Sequence, residues 1–126
     1  QSYAALHNAG VTAAESDRWK DAEVLFGLAI LKQPESAESW VARGISREQL
    51  GKRPLAIQDF NYASQLYTKN GANEAAEQLT IAALSLQDKP NNQPSGNGAG
   101  SAVLNGLLST SQALLPMAMK LFLPAL

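Results

Sequence analysis

The sequence predicts an all-α fold, a helix–turn–helix repeat of the α-solenoid type, and three observations predict it. Gly10, Ala22, Phe26 and Ala29 recur 34 positions later as Gly44, Ala56, Phe60 and Ala63. A period of that length marks stacked helix–turn–helix units. Apolar residues in the same region recur every three or four positions, the spacing of a helical face. Composition then breaks near residue 89: of 21 formal charges, twenty lie in residues 1–89 and only Lys120 follows. The expected architecture is two repeats, a capping helix and an apolar C-terminal helix.

Segment 3–15 carries a weak apolar face of Leu6, Ala9, Val11 and Ala13. Segment 18–32 is stronger, with Trp19, Ala22, Leu25, Phe26, Ala29 and Ile30 on one face, and Pro34 ends it. Ser36 is placed to N-cap a third helix over 37–50, whose apolar residues are Trp40, Val41, Ile45 and Leu50. Gly51 stands where a helix C-cap belongs, and Pro54 where a first turn tolerates proline. The fourth segment, 54–67, presents Leu55, Ala56, Phe60, Ala63 and Leu66. Asn70-Gly71 is a turn signal, and 72–87 reads as a last, alanine-rich helix with Leu79, Ala82, Ala83 and Leu86. Residues 1–87 thus form one helical repeat domain of five helices.

These residues resemble the tetratricopeptide repeat (TPR) family. In Tyr3–Ser36 the match rests on Leu6, Gly10, Trp19, Ala22, Phe26, Ala29 and Pro34; in Ala37–Asn70 it rests on Trp40, Gly44, Gly51, Ala56, Phe60 and Ala63. Small residues such as Gly10 and Ala22 let paired helices approach, and Phe26 and Trp19 fill the space between them. Three departures stand out. Arg43 and Arg47 occupy positions usually apolar or aromatic, and burial would require acidic partners such as Glu48 or Asp59, or a binding partner. Thr68 replaces the repeat-ending proline. The array is also short of the three or so repeats that stability usually takes.

The resemblance implies a concave groove lined by the first helix of each repeat. Its lining here would be Asn8, Val11 and Glu15, then Glu38, Val41, Ala42, Ile45 and Gln49, then Leu79, with His7, Ala14 and Glu48 beside them. That surface is small, apolar and mildly acidic. TPR domains that clamp the acidic tails of chaperones use lysines, arginines and asparagines, and only Asn8 fits that set. An apolar or helical peptide suits the lining better.

Residues 88–100, DKPNNQPSGNGAG, have a flexible-linker composition. Residues 101–126 are an apolar helical segment that Pro116 kinks or divides. A membrane span is diluted by Asn105, Gln112 and Lys120, and a surface-lying helix lacks a basic face. Packing on protein is the favoured reading, through Leu104, Leu108, Leu115, Met119 and Phe122.

Composition narrows the chemistry. The net charge of −1 gives no electrostatic case for nucleic acid. With no cysteine and a single histidine, His7, neither thiol catalysis, zinc–thiolate binding nor a multi-histidine metal site is available. No serine or cysteine nucleophile with an orienting acid is recognisable beside His7 in the sequence. The acidic cluster Glu15, Asp17, Asp21, Glu23 lacks calcium-loop spacing. Gly96, Gly98 and Gly100 lack the strand and lysine of a phosphate loop. Opening at Gln1, the chain reads as processed, trimmed or excised, with no signal-peptide pattern at that start.

The expectation is therefore a non-enzymatic adaptor or assembly factor without cofactors or metal. It would bind a protein or peptide partner, be capable of self-association through its C-terminal helix, and be soluble or peripheral to a membrane, cytoplasmic by weak preference. The alternative is a structural subunit or membrane-tethered component of a larger complex, anchored by residues 101–126.

Overall fold

Apolar periodicity and turn chemistry produce five helices in the computed structural model, which describes residues 1–87. They are α1 (Tyr3–Glu15), α2 (Trp19–Lys32), α3 (Ala37–Gln49), α4 (Arg53–Lys69) and α5 (Asn73–Gln87), with no strand among the described residues. The expected segments agree with these bounds to within one residue except at the C-terminus of 54–67, where α4 continues two residues further, to Lys69. The expected linker 88–100 and segment 101–126 lie outside the described residues, as do Leu104, Leu108, Leu115, Met119 and Phe122.

Each helix packs on its neighbours in sequence, and α1 also touches α3. The pairs α1–α2 and α3–α4 are closed by the same device. Asp17 and Gly51, one period apart, each take a left-handed backbone at φ 61 and 80. The amide that follows bonds back five residues: Arg18 N to Ala13 O at 2.9 Å, and Lys52 N to Arg47 O at 2.8 Å. This is the Schellman closure, which satisfies carbonyls that the helix end leaves open. Gly71, at φ 82, closes α4 in the same way, through Ala72 N to Tyr67 O at 2.9 Å. Ser2 caps α1 by accepting from Ala5 N at 3.1 Å. Ser36 stands at the N-cap of α3, but its hydroxyl donates to Gln33 Oε1 at 3.0 Å and makes no cap bond.

One apolar cluster runs through the stack, with Phe26 and Phe60 as its large members and Ala13, Ala22, Ala56 and Ala63 as small ones. Alanine at these positions allows close helix approach, and the aromatic rings fill what remains. Arg43 and Arg47 are held by acids on other helices. Asp59, on α4, accepts from Arg43 Nε at 3.0 Å, Arg43 Nη2 at 2.9 Å and Arg47 Nη1 at 3.1 Å. Glu23, on α2, accepts from Arg47 Nε at 2.9 Å and Lys52 Nζ at 2.9 Å. Burial pushes the Glu23 carboxyl up, but the hydrogen bonds and charges of Lys52 and Arg47 outweigh it and hold the group below its ordinary value. The network ties α2, α3 and α4 together with its charges paired.

Candidate functional site

The first helices of the two pairs meet at one seam. His7 and Tyr3 are one turn apart on α1, so their rings stack, with centroids 5.7 Å apart. On its other side the His7 ring lies 5.3 Å from Phe26. Across the seam, His7 Nδ1 is 2.8 Å from the hydroxyl of Ser39 on α3, and Ser39 Oγ donates to Tyr3 Oη at 3.1 Å. With Ser39 donating to Tyr3, the Nδ1–H of His7 donates to Ser39. His7 Nε2 is then the bare nitrogen, and it is buried without a hydrogen-bond partner. Burial lowers the His7 pKa, and the negative charge of Glu38 offsets this in part.

Beside the seam is a shallow depression of about 300 Å³, lined by Tyr3, Ala4, His7, Asn8, Ser36 and Glu38. Of the residues expected on the groove, the structure brings Asn8 and Glu38 together here, one from each helix pair. Asn8 and Glu15 are exposed, and Val11, Glu38 and Gln49 are half-buried. Val41, Ala42 and Leu79 are 0 % exposed and Ile45 is 1 % exposed. These four belong to the apolar cluster rather than to an open surface. Aspartate at Val41 or Ile45 would bury a charge and test folding before it tested binding.

The sequence shows no nucleophile with an orienting acid beside His7, and the fold brings a serine to it without such an acid. Ser39 lies 32 positions away and reaches His7 only because α1 and α3 lie side by side. The pair does not make a nucleophile. Ser39 is 0 % exposed, and among the described residues no carboxylate bonds the second His7 nitrogen. The arrangement has two members of a triad without access or the orienting acid. No group of three His, Asp or Glu side chains among the described residues is placed to hold a metal ion. Of the acidic cluster in the first pair, Glu23 joins the arginine network and Asp21 pairs with Arg18 at 3.2 Å. No family model, curated protein or solved structure matches the chain.

A second aromatic contact also escaped the sequence reading. Trp40 on α3 lies 4.2 Å from the ring of Tyr62 on α4 and donates its Nε1–H to Pro34 O at 2.7 Å. The Arg43 guanidinium sits 5.0 Å from the Trp40 ring, in cation–π range. The only sequence signal for it was Trp40 in the register of Leu6.

Proposed function

We propose that the chain is a TPR-like adaptor or assembly factor that performs no reaction and binds an apolar or helical peptide of a protein partner along α1 and α3. The observation that supports this reading best is the junction of Asn8 and Glu38 at one accessible depression. Residues of successive repeats there present a joint surface, as a peptide-reading stack requires. Apart from Asn8 and Gln49, the exposed and half-buried residues expected along the groove are apolar or acidic: Val11, Glu15 and Glu38, with Ala4 exposed beside them. An amphipathic helix with an apolar stripe and a basic edge is the matching ligand.

The test uses the full chain and a display of amphipathic helical peptides with varied edge charge. Glu38→Lys and Asn8→Arg are the variants, since both side chains reach solvent and neither is part of the apolar cluster. Binding should weaken about tenfold or more, a loss of about 1.4 kcal/mol. Affinities unchanged by both substitutions overturn the reading.

The apolar composition of residues 101–126 supports a second reading, a structural subunit or membrane-tethered component anchored by that segment. No helix among the described residues is long and apolar enough to cross a membrane. Carbonate-resistant fractionation separates the two: a chain released by carbonate excludes the spanning form.

A further inference from the structure

Among the described residues, α5 stands in the register of a first helix with no second helix after it. Ala13, Arg47 and Ile81 are spaced by the 34-residue period. Ala13 is 0 % exposed in the first pair, and Arg47 in the second bonds Asp59 of its partner helix. Ile81, by contrast, is 42 % exposed, and Leu84 one turn on is 54 % exposed. The equivalent of Gly10 and Gly44, on which Phe26 and Phe60 rest, is Gln78. Among the described residues, α5 packs on α4 alone. The face of α5 that a second helix would cover is therefore apolar and, among the described residues, uncovered.

The sequence beyond α5 contains a segment with second-helix spacing. Residues 116–125 read PMAMKLFLPA, and the start of α4, residues 54–63, reads PLAIQDFNYA. Pro116, Ala118 and Phe122 coincide with Pro54, Ala56 and Phe60, ahead of Pro124, and Met117 and Met119 are apolar like Leu55 and Ile57. In α2 the same alanine–phenylalanine spacing is Ala22, Phe26. We infer that residues 116–125 dock on the Gln78–Ile81–Leu84 face of α5 and supply the missing second helix of a third pair.

Charge and reach agree with this occupant. Lys120 is the only charge beyond residue 89, and the exposed charges of α5 are Glu74 and Glu77. The 28 residues between Gln87 and Pro116 would span about 30 Å as a flexible chain, against about 22 Å for the length of α5. Gln78 carries a Cβ where Gly10 and Gly44 carry none, so the Phe122 ring cannot seat as Phe26 does. It lies farther along the face, over Ile81. The inference uses the repeat register and is independent of what binds at Asn8 and Glu38.

The full chain tests it in two ways. In the unsubstituted protein, nuclear Overhauser contacts should connect the Phe122 ring to the Ile81 and Leu84 methyls; only three phenylalanines are present, so the ring is assignable. The chain has no cysteine, so Ile81→Cys with Phe122→Cys creates a single possible intramolecular disulfide. Oxidation should give a crosslinked monomer. Crosslinks only between copies would mean that a second chain covers the face, and overturn the inference. Ring contacts to Asn8 or Val11 instead would place the segment elsewhere on its own chain, with the same result. So would the absence of ring contacts in buffer combined with capture of the chain by phosphatidylcholine–phosphatidylglycerol vesicles. Peptide binding that persists without the Phe122–Ile81 contact would remove this inference and leave the adaptor reading standing.

Discussion

Gly44 lies against the Phe60 ring so closely that a Cβ on it would stand 2.6 Å from Cε1. Gly10 and Phe26 repeat the relationship one period earlier, again at 2.6 Å. The glycine and phenylalanine of the 34-residue pattern are thus one contact seen twice: absence of a side chain on the first helix makes room for the ring of the second. Gly44→Ala should cost about 1–3 kcal/mol by overpacking, despite the helix propensity alanine adds. Gly27 gives the opposite sign. A Cβ there meets nothing nearer than Arg43 Nη1 at 3.7 Å, so Gly27→Ala should stabilise by about 0.5–1 kcal/mol. Urea denaturation of the two variants in parallel checks both signs.

Asp17 does with an ordinary side chain what Gly51 does one repeat later. Its φ of 61 lies in the left-handed region, which costs an L-residue about 1 kcal/mol more than it costs glycine. The Asp17 turn keeps the same pair of Schellman bonds, Asp17 N to Ala14 O at 3.0 Å and Arg18 N to Ala13 O at 2.9 Å. Asp17→Gly should therefore stabilise by about 0.5–1 kcal/mol, read as a rise in thermal midpoint. Gly51→Asp should lower it, and by more than Asp17→Gly raises it, because Gly51 is buried where Asp17 is exposed.

Asp59 is the acid on which both arginines of α3 converge. It is 1 % exposed and accepts three guanidinium hydrogen bonds. Asp59→Ala leaves Arg43 and Arg47 largely enclosed with one acid fewer, and should cost about 3–5 kcal/mol. Asp21→Ala also removes an ion pair, to Arg18, but both side chains are more than half exposed, and the loss should stay below about 1 kcal/mol. Equal effects of the two substitutions on the urea midpoint would mean that the arginine network contributes no more than a surface pair.

The helices were legible because their signals are local. Apolar spacing, Pro54 at the start of α4 and Gly51 or Gly71 past a helix end need no knowledge of neighbours. The arginines were legible in part: the sequence required an acid for Arg43 and Arg47 and offered Glu48 or Asp59, and the geometry of α4 against α3 puts Asp59 on both. The His7–Ser39 bond was not legible, because it joins residues of different pairs and depends on how α1 lies against α3. The fate of Val41, Ala42, Ile45 and Leu79 was hidden for a related reason. An apolar residue at a helical interval looks the same on an open lining and in a packed interior, and these four are buried.

His7 gives the α1–α3 seam a defined pH response. Its folded pKa lies below the ordinary 6.5 because burial disfavours the charged ring, with Glu38 the one charge acting against that trend. The remaining neighbours, Tyr3, Phe26 and Ser39, are neutral, and Nε2, where a second proton would go, has no acceptor beside it. The native state therefore binds fewer protons than the unfolded chain near pH 6, and stability rises with pH there. The penalty begins as pH falls below 6.5 and stops growing below the folded pKa, where both states are protonated. Glu23 acts in a separate, lower window, because its carboxyl is held below 4.5 and its contribution is lost only as pH falls through that folded value. The urea midpoint should fall between about pH 7.5 and pH 5 in the parent chain and fall less in His7→Gln, whose amide still reaches Ser39 and takes no proton. A slope that survives the substitution would assign the proton to another group and remove His7 as the pH-sensitive element of the seam.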